Sequence, residues 1–357
     1  MIENSIFVPI AACEERFIEQ TVRSALLKAK HPEKIYFGIF NNIIDKNKSL
    51  LSNDFIVNNS QIFYTEIATP CPMGTGFARM NASLLQFKEF EYMFQTDAHT
   101  LFTENWDEQL IHYFNKIKNE NNIDENKIIL SASSPISWFS FENNPYRIMM
   151  NRPGLGLVEV DPYDLEKDFS SEIKEGAVSI TIKYDGFQDK TLFENNIGFP
   201  ITYGNNKIDS ELEYEETNCV HASFMFSKAN LVRDILHDPE DTFDGDQTNY
   251  GIRLLSRGYR IFSPKYPVIS CLNKQDEHGV FDKEFNWRYK VYTYDKNAGN
   301  YITYKKNKCE YFFEKMINGE YYGYWGTPDK QSLEFAKKKI DYPVQNWYNR
   351  IRSPNGT

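Results

Sequence analysis

Apolar and polar positions alternate along the first 137 residues in units that predict strand, helix, strand. Residues 6–11 (Ile-Phe-Val-Pro-Ile-Ala) form a short, nearly continuous apolar run, the pattern of a strand buried on both faces. Residues 15–30 then carry apolar side chains at a helical period. Strand patterns recur at 35–40, 61–67, 92–96 and 127–132, with helical patterns at 76–88 and 104–119 between them. Such alternation predicts an α/β domain built on a parallel sheet with crossover helices, a nucleotide-binding half of Rossmann character. The Gly-x-Gly-x-x-Gly turn of dinucleotide binders is missing, which argues against a dinucleotide ligand.

The rhythm breaks over residues 138–216, where Gly, Pro and Asn cluster, one strand candidate stands at 177–184, and the acidic run Glu211-Leu-Glu-Tyr-Glu-Glu216 closes the stretch. An insertion of this kind shapes a substrate cleft, although the acidic run by itself suits a solvated surface. Regular patterning returns with a strand at 218–226, helices at 228–236 and 249–257, and strands at 259–262 and 268–271. Beyond about 280 the chain is rich in Lys and Tyr and suits a helical or irregular extension. Four segments follow: a nucleotide-binding half at 1–137, an insertion shaping a substrate cleft at 138–216, a second regular half at 217–279, and a C-terminal extension at 280–357.

The chemistry concentrates at the end of the 92–96 strand. The run Tyr92-Met-Phe-Gln-Thr-Asp97-Ala-His99 ends an apolar strand on a carboxylate and an imidazole two residues apart. In extended backbone, side chains at i and i+2 project to the same side, so Asp97 and His99 can close on one divalent ion. In open α/β sheets ligands gather at the carboxyl ends of strands, where this pair falls. Taken alone, the pair is equally served by Asp97 capping the following segment and His99 lying on the surface.

Composition narrows the function classes. Of 357 residues, Asp and Glu outnumber Lys and Arg, and the net charge of −10 argues against non-specific binding of nucleic acid or anionic membrane. No stretch approaches the roughly 18 apolar residues of a membrane span. The N-terminal residues lack the charged and apolar regions of a signal peptide and suit a first strand. The cysteines Cys13, Cys71, Cys219, Cys271 and Cys309 are scattered, odd in number and without a Cys-x-x-Cys pair, as expected of a reducing, cytoplasmic compartment.

Several ordered segments resemble the cytoplasmic polypeptide α-N-acetylglucosaminyltransferases, a retaining GT-A family that includes the enzyme acting on a hydroxyproline of a ubiquitin-ligase subunit. They are Ile6-Phe-Val-Pro-Ile-Ala-Ala-Cys-Glu-Glu15, Ala29-Lys-His-Pro-Glu-Lys34, Gly76-Phe-Ala-Arg79, Phe94-Gln-Thr-Asp97-Ala-His99 with Trp106-Asp107, His221-Ala-Ser-Phe-Met-Phe226, Gly258-Tyr-Arg-Ile-Phe-Ser-Pro264, and Tyr324-Trp-Gly-Thr-Pro-Asp-Lys-Gln-Ser-Leu-Glu334. The resemblance implies a GT-A-type, Rossmann-like mixed sheet flanked by helices, a UDP-sugar donor (GlcNAc before other sugars), and a protein or glycan hydroxyl as acceptor. It places a divalent ion on Asp97 and His99, with Mn²⁺ suiting the mixed O and N ligands better than Mg²⁺. Ala11, Glu15, Arg79, Gln95, His221, Ala222 and Ser223 fall at its donor-binding positions.

Each of these residues has a second reading. Glu15 would meet uracil or ribose, or else simply complement a helix N-terminus. Arg79 would hold phosphates, orient Asp97 bidentately, or form an ordinary helix salt bridge. His221 would border the sugar, or be a core histidine. Asp246 and Gln247, which stand where the family carries an acidic pair, would face the sugar or the anomeric carbon, and Asp246 at the least would cap a helix. Where the family has a third metal-ligating His this chain has Cys271, and His278 in the following loop is expected to reach the metal or diphosphate on closure. Two rival classes remain: a catalytically weak nucleotide-sugar-binding protein, and a calcineurin-like metallophosphoesterase, for which the chain's six His include no Asn-His pair.

Overall fold

The computed structural model describes residues 2–15, 17–43, 60–69, 72–132, 136–140, 147–152, 156–160, 212–218, 220–241, 246–276, 308, 311–313 and 315–339. In chain order the elements are β1 (Ile2–Cys13), α1 (Ile18–Lys28), β2 (Ile35–Ile43), β3 (Ile62–Ala68), α2 (Thr75–Leu84), β4 (Phe90–Asp97), β5 (Thr100–Phe102), α3 (Trp106–Asn121) and β6 (Ile128–Ser131). Then come β7 (Ile136–Ser140), β8 (Arg147–Arg152), β9 (Gly156–Val160), β10 (Tyr214–Thr217), β11 (Phe224–Lys228), the single turn α4 (Leu231–Asp234), α5 (Asp246–Ser256), β12 (Arg260–Pro264), β13 (Ile269–Asp276) and α6 (Lys330–Lys339).

The fold is an α/β, Rossmann-like mixed sheet flanked by helices, as the resemblance implies, where the alternating pattern alone predicts a parallel sheet. Eight strands lie in the order β10-β12-β6-β11-β4-β1-β2-β3. Strands β4, β1, β2 and β3 are mutually parallel, whereas β11 enters between β4 and β6 and runs antiparallel to both. A second sheet, β5-β13-β7-β8-β9, takes in strands on both sides of the expected 137/138 boundary. The other expected boundary, at 216/217, falls inside β10.

Strand periodicity sends alternate residues into two cores. Ile6, Val8 and Ile10 of β1, Ile128 and Leu130 of β6, and Phe224 and Phe226 of β11 pack with α1 and α3 on one face. Phe7, Ile129 and Met225 face the opposite way, against α5. Trp106 is fully buried and its indole donates to Ala25 O at 2.8 Å, tying α3 to α1. Gly38 lets α2 lie directly on β2, since a Cβ there would sit 2.7 Å from Ala82 O and 2.3 Å from the Phe7 ring.

Four expectations change. The strand expected at 218–226 begins only at Phe224; residues 221–223 form a turn because Ser131 Oγ accepts from His221 N at 2.7 Å and Phe224 N donates back to His221 O at 3.0 Å. The helix expected at 228–236 is one turn, because Tyr250 Oη donates to Ile235 O at 2.9 Å and Leu236 N donates to Tyr324 Oη at 3.1 Å, drawing those groups out of a helical ladder. Part of the acidic run is edge strand β10, where Glu216 meets the Arg260 guanidinium in a forked pair at 2.6 and 2.9 Å. The C-terminal segment contributes Phe313, Met316, Ile317 and Ala336 to the second core. The strand expected at 177–184 lies outside the described residues.

Candidate functional site

The carboxyl ends of β1 and β4 form the floor of the site, with Ala11 opposite Asp97 in register. After Asp97 the chain bends out of the sheet over two residues before β5, so the pair is joined by a bend rather than by continuous extended strand. Threonines lock that bend. Thr21 Oγ1 donates to Ala98 O at 3.0 Å and accepts from Thr100 N at 2.9 Å, while Thr100 Oγ1 donates to Asp97 O at 3.0 Å. Asp97 Oδ2 and His99 Nε2 thereby face each other 3.9 Å apart. The other imidazole nitrogen, Nδ1, lies 3.3 Å from Glu15 Oε2.

Helix α2 supplies the cation. Its N-terminus is pressed onto the 238–241 segment, with Gly76 N donating to Asp241 O at 3.1 Å. A Cβ at Gly76 would stand 2.1 Å from Asp238 O, so no larger residue fits. One turn on, Arg79 is buried and forks between two carboxylates. Nη2 lies 3.4 Å from Asp97 Oδ1, and Nη1 pairs with Asp246 Oδ2. In place of a bidentate hold on Asp97, one guanidinium nitrogen meets Asp97 and the other Asp246. Asp246 is the first residue of α5 and only 2 % exposed, with its carboxylate held against the guanidinium. Next to it, Gln247 is half-buried, and its Oε1 has no hydrogen-bond partner.

A third group of residues closes the back of the site. Gln95 is buried, its Nε2 donates to Ala222 O at 2.8 Å, and its Oε1 lies 2.8 Å from His237 Nε2. The Gln95 amide is thus engaged with the 221–223 turn and with His237. Because a Gln carbonyl only accepts, the His237 proton sits on Nε2. His237 stacks on Tyr250 of α5 at 4.0 Å, so this chain of contacts joins α5 to the turn. Burial, with Arg79 and Arg253 nearby, holds its pKa well below the usual histidine value. Burial also lowers His221 to about 4, against the opposing pull of the Asp97 carboxylate. His221 is therefore a neutral imidazole, with a buried Nε2 that lacks a hydrogen-bond partner. Ser223 is half-buried beside the buried Ala222.

The expected site residues divide accordingly. Asp97, His99, Glu15, Arg79 and Asp246 form one connected set, Gln95 and Ala222 a second, and His278 lies outside the described residues. Cys271 lies on β13, paired in register with Thr100, one residue from His99. His237, Asp238 and Asp241 escaped the sequence reading; no periodicity marks them, because they act from an irregular segment. The consecutive amides Asn41 and Asn42 at the end of β2 were visible as polar residues ending an apolar strand. Asn42 Oδ1 accepts from Met73 N at 2.8 Å and orients the approach to α2.

A divalent ion fits the first set. Bonds of about 2.1 Å allow donor atoms up to about 4.2 Å apart to share one ion, and 3.9 Å lies within that span. Asp97 and His99 would supply two ligands, and among the described residues no group of three or more His, Cys, Asp or Glu side chains is gathered for a metal.

Comparison with known proteins gives one similar structure and one family. A crystal structure of GalNAc-T7 with UDP, GalNAc and Mn²⁺ is similar over 98 % of this chain and 58 % of its own, at a TM-score of 0.47 and 12 % identity. The chain thus spans little more than half the length of that relative. No curated protein sequence matches it. The family described as Glycosyltransferase (GlcNAc) matches residues 45–309, a span that contains Arg79, Asp97, His99, Asp246 and the 221–223 turn. With most of its length and most of its site inside that match, the chain belongs to the GlcNAc glycosyltransferase family.

Proposed function

We propose that this chain is a metal-dependent, retaining GT-A glycosyltransferase that moves GlcNAc from UDP-GlcNAc to a hydroxyl acceptor on a protein, a Ser, Thr or hydroxyproline, in a reducing, cytoplasmic compartment. The carrying observation is the convergence of Asp97 Oδ2 and His99 Nε2 at the carboxyl end of β4, with Arg79 braced across Asp97 and Asp246. Family membership supports glycosyl transfer and leaves the phosphoesterase alternative without support. Among the described residues no helix is long and apolar enough to cross a membrane.

In the proposed reaction, a bond forms between the acceptor oxygen and the anomeric carbon as the bond to the UDP oxygen breaks. The ion held by Asp97 and His99 would supply charge neutralisation at the diphosphate. The acceptor proton passes to the departing diphosphate oxygen on the same face. Asp246 suits this route because its buried carboxylate is committed to Arg79, so service as a general base would mean breaking that pair. Gln247 Oε1 and His221 Nε2 are the polar atoms that a sugar hydroxyl or acetamido N–H could satisfy.

UDP release should be measured with UDP-GlcNAc, UDP-GalNAc and UDP-glucose, with Mn²⁺ and after chelation. UDP-GlcNAc with metal is expected to give the fastest release, and Asp97→Ala and His99→Ala should each abolish it in folded protein. Full turnover in chelator-treated protein would sink the metal reading. A β-linked product by NMR would reassign the mechanism to inversion.

A further inference from the structure

Glu15 lies outside the family-matched residues, yet it sits beneath the metal half-site. Its carboxylate is buried under His99, which keeps an exposed edge toward the cleft, with Nδ1 and Oε2 3.3 Å apart. The approach depends on local backbone strain. Glu14, directly after β1, takes φ +47°, a left-handed conformation that costs a non-glycine residue about 1 kcal/mol. The α1 residue Thr21 holds the 98–100 backbone from the other side. The Glu15–His99 contact is therefore fixed on one side by the connection from β1 to α1 and on the other by α1 itself.

We propose that Glu15 is a positioning residue for His99, holding the imidazole with its proton on Nδ1 so that Nε2 faces Asp97 Oδ2 as a metal ligand. The inference rests on the metal-dependent reading above and deepens it. Ligating histidines characteristically turn their second nitrogen to a carboxylate, which fixes tautomer and ring orientation and strengthens the metal bond. Arg79 does the corresponding service for Asp97 by engaging Oδ1 and leaving Oδ2 toward His99. Each ligand is thus oriented by a buried charge from a different element. A uracil or ribose contact would instead require a carboxylate open to the cleft, whereas Glu15 is 2 % exposed.

The test is a Mn²⁺ titration of the full chain, reading free Mn²⁺ by electron paramagnetic resonance, with thermal unfolding as a check on folding. Glu15→Gln is expected to weaken Mn²⁺ binding by about 10- to 100-fold. Glu15→Asp, which keeps the charge and shortens the reach by one methylene, should recover part of the loss, and it carries the test if the Gln variant fails to fold. In a His99→Gln background, Glu15→Gln should add no further loss, because the interaction it removes is already gone. Wild type and Glu15→Gln binding Mn²⁺ within twofold of each other would overturn the proposal while leaving the metal reading intact. Additive losses in the double variant would also overturn it. Equal Mn²⁺ binding by wild type and Asp97→Asn would remove the metal reading, and the proposal with it.

Discussion

Arg79 is the residue on which most of the site depends, because one guanidinium serves two carboxylates from different elements. Removing one partner of a buried pair strands the other charge, at a cost of about 3–5 kcal/mol. Asp246→Leu should therefore lower the urea midpoint strongly. The double variant Arg79→Leu/Asp246→Leu should be more stable than Asp246→Leu alone and still inactive; a double variant at the sum of the two single losses would contradict the pairing. His221 and His237 give a pH prediction at the same scale. Both have folded-state pKa values below the unfolded value of 6.5. Below pH 6.5 the unfolded chain takes up protons that the native state refuses, so native stability falls as pH drops from 6.5 toward 4. Urea midpoints measured from pH 7 to pH 5 should decline. The decline should be shallower in His237→Gln, which can still donate to Gln95 but does not titrate.

At the level of elements, the contact between α2 and the 238–241 segment decides where Arg79 stands. A Cβ at Gly76 would meet backbone oxygen at 2.1 Å, and backbone oxygen cannot step aside as a flexible side chain would. Gly76→Ala should destabilise the protein by about 1–3 kcal/mol and reduce kcat more than that loss explains, because the helix must shift and carry Arg79 away from Asp97. Chemical denaturation beside steady-state kinetics separates the two effects. Unchanged kcat in the folded variant would show that α2 can move without disturbing the site. Helix α5 has the complementary part. Asp246, Asn249, Tyr250 and Arg253 lie on one stripe of it, and all are buried. That stripe bonds in turn to Arg79, Asp241 Oδ1 (2.7 Å), Ile235 O and Tyr324 O (3.1 Å).

Across the whole molecule, the C-terminal segment braces α5. Arg257 donates to Gly323 O and Gly326 O at 2.9 Å, and Arg253, fully buried, lies 5.5 Å from the Trp325 ring centroid. Leu333 is buried as well, and Ala336 packs into the α5 core. Truncation before Tyr321 should expose Arg253 and the apolar face of α5, lowering both soluble yield and the unfolding temperature. A truncated chain that melts with wild-type cooperativity would show the segment to be an appendage.

Much of this protein was legible in its sequence. Short, nearly continuous apolar runs located β1, β2, β4 and β6, because a strand buried on both faces carries apolar side chains at successive positions. Asp97 and His99 were visible as a carboxylate and an imidazole two residues apart at the end of such a run, a pattern that capping and surface exposure also explain. Tertiary structure alone decided the rest. The insertion of β11 between β4 and β6 depends on pairing between strands more than ninety residues apart, which local patterning does not encode. The stop of the 228–236 helix came from Tyr250 and Tyr324 capturing its backbone groups, and the turn at 221–223 from Ser131 and Gln95. Glu15, Arg79 and Asp246 are the same side chains wherever they lie. Their roles arise from burial, which removes the water that would otherwise screen them and makes each nearest opposite charge decisive.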